Sequence, residues 1–204
     1  MRGTILVISG PSGSGKSSLL KELLASMENL YFSISTTTRQ MRKDEEDGVN
    51  YHFISKEEFE KDIQSGMFLE WAKVHDNYYG TSLKPILKAI NEGKTAIFDI
   101  DVQGHKIVRD RFGKITTSVF ITTKDQITLK DRLEKRDSDT KETVNLRVNN
   151  AVTEMTCIHE YDYILINNDL KNTLEELRCI AKLSRRKASS VDIESFISKW
   201  ANIE

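Results

Sequence analysis

The chain has 204 residues, with 30 lysines and arginines, 31 aspartates and glutamates, and a formal net charge of -1 at pH 7. This length suits one domain that carries insertions, and the balanced charge excludes a general basic surface for nucleic acid or for anionic membranes. The two cysteines are too few for a disulfide scaffold, and neither they nor the four histidines have metal-ligand spacing.

The cellular compartment is indicated by two features. The chain starts on a predicted strand, and no apolar run approaches the ~20 residues of a membrane-spanning helix. We therefore expect a cytoplasmic protein without a signal peptide or a membrane span.

The first predicted elements are a buried strand, a glycine-rich loop and a helix. A short apolar run precedes the segment GPSGSGKS, and leucines at helical spacing follow it. The segment places Gly10, Gly15, Lys16 and Ser17 in the pattern G-x-x-x-x-G-K-[ST]. In such a loop the backbone N–H groups wrap an anion, the lysine reaches the outer phosphates and the hydroxyl ligates Mg²⁺. A Gly/Ser turn with a chance lysine is the alternative, but the order of strand, loop and helix favours nucleotide binding.

The stretch 34–82 interrupts the alternation of strands and helices that the rest of the chain predicts. YFSIS and YHFI indicate strands around a polar segment, and Ser55 with Glu58 forms a capping box for a helix that runs to about Ser65. MFLEWAKV then indicates a strand, NYYGTS a turn, and Ser82 the start of the next helix. The closely spaced, aromatic strands predict a small mixed β subdomain inserted into the core.

The second half of the chain predicts alternating strands and helices. TAIFDID, SVFIT and YILI are apolar enough for buried strands, and helices are expected near 102–112, at 124–135 and in a long segment that ends near His159. This alternation is typical of a parallel sheet with helices on both faces and with ligands at the carboxyl ends of the strands. We therefore predict one α/β domain with a core (1–33, 83–134 and 143–204), an inserted subdomain (about 34–82) and a mobile lid in the polar break (about 135–142).

The C-terminal segment SSVDIESFISKW indicates an amphipathic helix. Its apolar positions recur at helical spacing: Val191, Ile193, Phe196, Ile197 and Trp200. We expect this face to pack onto the chain's own core rather than onto a second copy.

Two aspartates mark the end of the predicted strand TAIFDID. Asp99 lies where P-loop enzymes place the carboxylate that helps to hold Mg²⁺. Asp101 follows two residues later, and both carboxylates share one face if the strand continues. The alternative is that one of them, Asp101 above all, only caps the helix that starts near Val102.

Three arginines flank the predicted lid. Arg132 and Arg136 are four residues apart on one helix face, and Arg147 lies on the next helix. Closure of the lid would bring these guanidinium groups to charge that develops on a transferring phosphoryl group. A solvated charged face is the alternative, and the phosphate-binding loop favours the functional interpretation.

Arginines and tyrosines also recur in the predicted subdomain. Arg39 and Arg42 lie in a polar stretch, with Tyr51, Tyr78 and Tyr79 beyond it. Converging guanidinium and phenol groups would form a phosphomonoester site, because arginine matches phosphate oxygens bidentately. Arginines scattered for solubility are the alternative.

One carboxylate, Glu70, interrupts the apolar segment MFLEWAK. It lies either on the outward face of an alternating strand or in an apolar pocket that needs a carboxylate. The sequence alone leaves both possibilities open.

Over essentially its whole length, the sequence closely resembles the guanylate kinase family. The segments ISGPSGSGKSSL, SISTTTRQMR, GVNYHFIS, FLEWAKVHDNYYGTS, FDIDVQG and EYDYILINND occur in that family's order and spacing. The resemblance implies a P-loop core, an inserted GMP-binding subdomain and a lid. It also implies the Mg²⁺-dependent reaction of ATP with GMP in purine nucleotide metabolism, and we expect dGMP to be a further acceptor.

The resemblance also implies roles for individual residues. The ATP-binding residues would be Gly10, Pro11, Ser12, Gly13, Ser14, Gly15, Lys16, Ser17 and Asn167, of which Ser17, with Asp99, would hold Mg²⁺. The guanine contacts would be Ser35, Glu70, Thr81 and Asp101, and the GMP phosphate would be clamped by Arg39, Arg42, Tyr51 and Tyr79. The residues acting in phosphoryl transfer would be Lys16, Arg42, Asp99, Arg132, Arg136 and Arg147. Carboxylates suit guanine, because its N1 and N2 groups donate hydrogen bonds whereas adenine N1 carries a lone pair.

Some positions differ from the family's usual pattern. Gln40 and Met41 replace prolines, Asp137 stands where glycine is common, and Thr81 stands where serine is common. The segment KDEED (43–47) is unusually acidic for its loop. None of these differences removes a charged contact, so we expect them to affect loop stiffness and lid dynamics rather than the reaction.

Two other functions compete with this interpretation. A binding module that holds a phosphopeptide in the GMP site would be expected to lack parts of the P-loop and the lid arginines, which this chain retains. A kinase of another small phosphorylated acceptor would leave Glu70 and Asp101 without donors.

Overall fold

The described chain alternates strands and helices over most of its length. The structure is a computed structural model that describes residues 3–135 and 140–201. The described strands are β1 (Thr4–Ser9), β2 (Leu30–Phe32), β3 (Thr36–Thr37), β4 (His52–Phe53), β5 (Phe68–Val74), β6 (Asn77–Ser82), β7 (Thr95–Asp99), β8 (Thr116–Thr122) and β9 (Tyr163–Ile166). The described helices are α1 (Lys16–Ser26), α2 (Lys56–Gln64), α3 (Leu83–Asn91), α4 (Val102–Phe112), α5 (Gln126–Glu134), α6 (Lys141–Met155), α7 (Leu170–Ser184) and α8 (Ile193–Trp200).

Among the described residues, five parallel strands form the central sheet in the order β2-β7-β1-β8-β9. β1 is buried at every position, which explains its continuous apolar run. Successive side chains point to opposite faces of the sheet. Leu6 and Ile8 pack with residues of α1 and α7, whereas Ile5 and Val7 pack with residues of α3 and α4. The predicted parallel sheet with helices on both faces is confirmed.

In the described part of the chain, a second sheet of four strands has the order β4-β3-β6-β5. β3 pairs with β4 in parallel and with β6 antiparallel, so the sheet is mixed, as predicted. Stacked rings join the sheet to α2, because Phe59 lies 4.1 Å from Phe68 and 5.1 Å from Tyr78 between ring centroids. This sheet lies within residues 36–82, inside the segment predicted as an insertion.

The predicted boundaries fail at three places. NYYGTS is the strand β6 and not a turn, since it pairs along β5, and the turn lies at His75 and Asp76 instead. YFSIS does not form one strand: β2 ends at Phe32, and the chain then crosses to the second sheet. The long helix ends at Met155 rather than near His159, and a separate 3-10 turn follows it.

The C-terminal helix contradicts the expectation that its apolar face packs onto the core. None of the residues of α8 is buried, and Trp200 is 79% exposed. The spacing of apolar residues predicts the helix and its face, but it carries no information about what covers that face. Of the helices in 3–135 and 140–201, none is both long enough and apolar enough to cross a membrane.

Candidate active site

The glycine-rich loop joins the end of β1 to the start of α1, at the carboxyl edge of the central sheet. Gly10 and Gly15 have φ values of 137° and 94°, which side chains other than glycine rarely adopt. A Cβ atom on Gly10 would lie 1.9 Å from the carbonyl oxygen of Ile121, and one on Gly15 would lie 2.3 Å from Nδ2 of Asn167. Both glycines therefore allow the loop to pass close to the ends of neighbouring strands.

Lys16 is the first residue of α1, and its side chain curls back over the loop. Its Nζ donates to the carbonyl oxygen of Gly10 and, at 3.5 Å, to that of Pro11. The N-terminus of α1 adds a partial positive charge at the same place. This end of the loop is therefore built to attract an anion.

A cavity of about 340 Å³ lies against the loop and collects the predicted phosphate-side residues. One wall is the loop itself, and the other carries three carboxylates. The lining residues are Gly10, Pro11, Ser12, Gly13, Gly15, Lys16, Ser17, Asp99, Ile100, Asp101 and Glu154. Ser14, also predicted to bind ATP, is buried and does not line this cavity.

Asp99 reaches this cavity because β7 runs parallel to β1, with Asp99 paired to Ile8 just before the loop. Burial raises the pKa of Asp99, and the positive charge of Lys16 opposes that rise. The Ser17 hydroxyl and the Asp99 carboxylate are oxygen donors of the kind that Mg²⁺ prefers. The two side chains thus fit a Mg²⁺ ion that also binds nucleotide phosphates.

Magnesium sites of this kind do not need a protein cage. Within the described ranges, no three His, Cys, Asp or Glu residues group as metal ligands. Mg²⁺ keeps several waters and commonly uses one or two carboxylates together with substrate phosphates. Ser17 and Asp99 are consistent with this pattern.

Two of the three predicted lid-side arginines contact the loop. Arg132 donates to the carbonyl oxygen of Asn167 at 2.7 Å and to that of Ser14 at 3.5 Å. Arg147 donates to Oγ of Ser12 at 3.1 Å. Arg136 and Asp137 lie outside the described residues.

Asn167, predicted near the ATP base, is 4% exposed, and its Nδ2 donates to the carbonyl oxygen of Ser14 at 2.8 Å. It follows β9 directly, so it connects the end of that strand to the loop. In this structure the side chain braces the loop.

A second cavity lies beside the first and is lined by three of the predicted guanine contacts, Glu70, Thr81 and Asp101. Thr81 Oγ1 donates to Oε1 of Glu70 at 2.7 Å. Glu70 is exposed, so the interpretation as an outward strand residue holds, and it faces this cavity. Ser35 precedes β3 and does not line it.

Asp101 caps α4, which was the alternative to a role in the site. β7 ends at Asp99, so the strand does not continue through Asp101 as expected. Oδ1 of Asp101 instead accepts hydrogen bonds from the backbone N–H groups of Gln103 and Gly104, at 3.0 and 2.8 Å. Because these bonds fix the side chain through one oxygen, capping is compatible with a second role for Oδ2. Asp101 and Ile100 line both cavities and form the wall between them.

The predicted phosphate clamp comes together at one end of the second sheet. The Arg39 guanidinium lies 5.6 Å from the centre of the Tyr51 ring, and the rings of Tyr51 and Tyr79 are 6.1 Å apart. The Arg39 guanidinium also pairs with Glu45, whose other oxygen accepts from the backbone N–H of Arg42. Arg39, Tyr51 and Tyr79 therefore form one local cluster, and Glu45 joins the backbone of Arg42 to it.

Sequence reasoning missed Glu154, which lines the phosphate-side cavity from α6. Burial raises its pKa, while the charge of Lys16 lowers it and that of Asp101 raises it further. It lies seven residues after Arg147, two helical turns along the same face. That spacing is the signal that could have found it.

Comparisons with known proteins agree with this arrangement. The guanylate kinase family model matches residues 2–183. Guanylate kinases of Sulfurimonas denitrificans and Campylobacter jejuni (strain RM1221) are 51% and 55% identical to the chain, each over 201 residues and 98% of both sequences. A crystal structure of guanylate kinase from Anaplasma phagocytophilum matches with a TM-score of 0.69 and 28% identity, covering 100% of this chain and 97% of that one. The chain belongs to the guanylate kinase family of nucleoside monophosphate kinases.

Proposed function

We propose that the chain transfers the γ-phosphoryl group of ATP to GMP in a Mg²⁺-dependent reaction and so yields ADP and GDP. It would act in cytoplasmic purine nucleotide recycling, with dGMP as a further acceptor. The observation that carries this proposal is the shared wall of Ile100 and Asp101 between the two cavities. A donor phosphate at the loop and an acceptor beside Glu70 would meet across that wall.

On the donor side, the loop N–H groups and Lys16 would hold the phosphates of ATP. Ser17 and Asp99 would hold Mg²⁺, which when bound neutralises charge on the phosphate oxygens. Arg132 and Arg147 already contact the loop and would stabilise charge that develops during transfer. The predicted lid (about 135–142) would close over the site and bring Arg136 with it; residues 136–139 lie outside the described part of the chain, and the segment's last two residues belong to α6.

On the acceptor side, residues 34–82 would act as a GMP-binding subdomain. The carboxylates of Glu70 and Asp101 would accept from N1 and N2 of guanine, with Ser35 and Thr81 supporting the base. Arg39, Arg42, Tyr51 and Tyr79 would bind the phosphate of GMP. The charged groups on both sides are retained, which does not favour a binding module without catalysis.

The test is steady-state kinetics with ATP and each of GMP, IMP and AMP. IMP lacks the N2 amino group of guanine, and AMP presents a lone pair at N1. The wild-type chain should prefer GMP to IMP and scarcely use AMP. Comparable turnover of AMP and GMP, or no transfer to any nucleoside monophosphate, would refute the proposal.

Two variants separate the base contacts from the phosphate contacts. Glu70→Gln should lower kcat/KM for GMP by about ten- to a hundredfold, since a donor of the bound base that loses its charged partner costs about 1–3 kcal/mol, and it should narrow the difference in kcat/KM between GMP and IMP. Arg42→Ala should weaken GMP and IMP alike, because it addresses the phosphate. A change of base preference in Arg42→Ala but not in Glu70→Gln would reverse these assignments.

A further inference from the structure

The cavity beside Glu70 is also lined by Gln103, a polar side chain to which the proposed function gives no role. Gln103 belongs to FDIDVQG, one of the segments that carry the family resemblance. Gln103 and Ile107 are four residues apart on α4, so they lie on one side of this helix, and both line the cavity. α4 therefore forms one wall of the cavity, and the second sheet forms another through Glu70 and Thr81.

The backbone of Gln103 is fixed next to Asp101. Its N–H donates to Oδ1 of Asp101 at 3.0 Å, within the cap of α4. The side-chain amide of Gln103, in contrast, makes no hydrogen bond to any residue in 3–135 and 140–201. A side-chain amide carries two N–H donors and one acceptor oxygen. The N–H donors of Gln103 are therefore free for a ligand that binds beside Asp101.

The other polar side chains in this cavity act mainly as acceptors. Glu70 and Asp101 are carboxylates, which only accept hydrogen bonds when they are ionised. The Thr81 hydroxyl has a single hydrogen, which it donates to Oε1 of Glu70 at 2.7 Å. Among the described side chains that line this cavity, only that of Gln103 offers N–H donors.

Guanine has an acceptor that the proposed contacts leave without a partner. Along one edge of its six-membered ring, N1 and N2 donate hydrogen bonds, and the proposed function gives these donors to Glu70 and Asp101. N3 follows N2 directly and accepts. With Glu70 on the N1 side, the edge beyond N2 faces Asp101 and the start of α4. If N3 gave up its water there without finding a donor, binding would be weaker.

We propose that Gln103 is a further substrate-binding residue of the acceptor site, and that its side-chain amide donates a hydrogen bond to N3 of guanine. This inference rests on the proposed function and adds one contact to it. The bond joins two neutral groups, so its removal should weaken GMP binding about three- to tenfold, less than the loss of a carboxylate contact. N3 is common to GMP and IMP, so Gln103 contributes affinity for both and does not choose between them.

The experiment removes each side of this contact in turn. Dissociation constants for GMP and for 3-deaza-GMP, in which a C–H group replaces N3, are measured by calorimetry. Wild type should bind GMP about three- to tenfold more tightly than 3-deaza-GMP. Gln103→Ala should bind GMP as weakly as wild type binds 3-deaza-GMP, and it should not distinguish the two ligands. Alanine is a good helix former, so α4 should be retained.

Two further variants sharpen the comparison. Lys106→Ala is the control, because Lys106 is an exposed residue of α4 that does not line the cavity, and it should match wild type with both ligands. Gln103→Glu replaces the N–H donors by an acceptor at nearly constant size. It should weaken GMP binding more than Gln103→Ala does, because a carboxylate repels the lone pair of N3. The ratio of the GMP and IMP dissociation constants should stay within about twofold of wild type in Gln103→Ala.

Four results would overturn the inference. Unchanged GMP binding by Gln103→Ala would leave the side chain solvated and without a role, and equal affinities of wild type for GMP and 3-deaza-GMP would exclude a bond to N3. Equal losses for both ligands in Gln103→Ala would mean that Gln103 supports the pocket instead. Loss of discrimination between GMP and dGMP would place the contact on the ribose. These results count against Gln103 alone, whereas the proposed function fails if wild type does not phosphorylate GMP.

Discussion

Lys16 and Asp99 face the phosphate-side cavity with opposite charges, and each changes the environment of the other. Burial favours the neutral form of Asp99 and raises its pKa, and the positive charge of Lys16 offsets part of that rise. A divalent cation beside Asp99 would favour the ionised form further. The contribution of this carboxylate should therefore depend strongly on metal.

Asp99→Asn tests that dependence. The amide is a poorer ligand than the carboxylate, so Mg²⁺-dependent turnover should fall by about ten- to a hundredfold or more. Nucleotide binding without metal should change much less, because the loop and Lys16 remain. Calorimetric titration with ADP in EDTA and in Mg²⁺ provides the comparison. Equal losses in both conditions would assign Asp99 a purely structural role.

At the scale of elements, local signals predicted local structure well. Ser55 was expected to cap a helix with Glu58, and Oγ of Ser55 accepts from the backbone N–H of Glu58 at the start of α2. Ser82 likewise caps α3. Capping depends on side chains within a few residues, so the sequence contains all the necessary information.

β6 shows why nonlocal pairing was missed. NYYGTS was predicted as a turn, but its Gly80 lies within a strand and pairs with Trp71, next to an irregularity in β5 between Phe68 and Trp71. A Cβ atom on Gly80 would lie 2.6 Å from the carbonyl oxygen of Glu70. The glycine therefore permits a close approach of two strands, which depends on the partner strand and not on the local sequence.

The residues of the candidate site likewise include some that a local sequence pattern predicts and one that depends on distant packing. The phosphate-binding loop and Asp99 were found because each carries a short pattern next to a strand. Glu154 lies more than a hundred residues from the loop and reaches the cavity only through the packing of α6. That packing is set by apolar residues on another face, Val144, Val148 and Ala151, which cluster with Leu129 and Leu133 of α5.

Glu154→Gln tests what α6 contributes to the cavity. The glutamate adds a negative charge to a pocket that would hold phosphates, so its removal should tighten metal-free ADP binding about two- to fivefold. The gain in ADP affinity on adding Mg²⁺ should shrink, because less negative charge remains to attract the cation. Both effects are measured by calorimetry.

The matched control is Glu176→Gln, an exposed glutamate on α7. It should leave both affinities unchanged. Weaker ADP binding by Glu154→Gln without metal would contradict the electrostatic argument and indicate that the carboxylate supports the loop.

At the scale of the whole molecule, Asp162 connects elements that are distant in sequence. Its carboxylate accepts two hydrogen bonds from Arg109 on α4, at 2.7 and 3.2 Å, and one from the backbone N–H of Ser118 on β8, at 2.8 Å. Asp162 directly precedes β9, at the edge of the central sheet. The network therefore ties the last strand to a helix and to the neighbouring strand, and its loss should affect global unfolding.

The protonation of Asp162 gives this network a defined pH dependence. Burial alone would raise the pKa of Asp162, but the bonds from Arg109 and Ser118 outweigh it, and the pKa is lowered in the folded state. A lowered pKa stabilises the fold fully above the unfolded value of about 3.9, and this contribution is lost as the pH falls through the folded value. Asp162 should therefore matter at neutral pH and not in acid.

The last prediction concerns Asp162→Asn. At pH 7 the free energy of unfolding of the variant should be about 1–3 kcal/mol lower than that of wild type, because Arg109 loses a charged partner that is partly shielded from solvent. The difference should shrink as the pH falls from about 5 towards 3, since the carboxyl of unfolded wild type takes up a proton at a higher pH than that of the folded protein. Urea denaturation over this pH range measures both quantities. Asp110→Asn, an exposed change beside Arg109, should differ little from wild type throughout. A difference for Asp162→Asn that stayed constant down to pH 3 would mean that packing, and not the charge of Asp162, holds β9 in place.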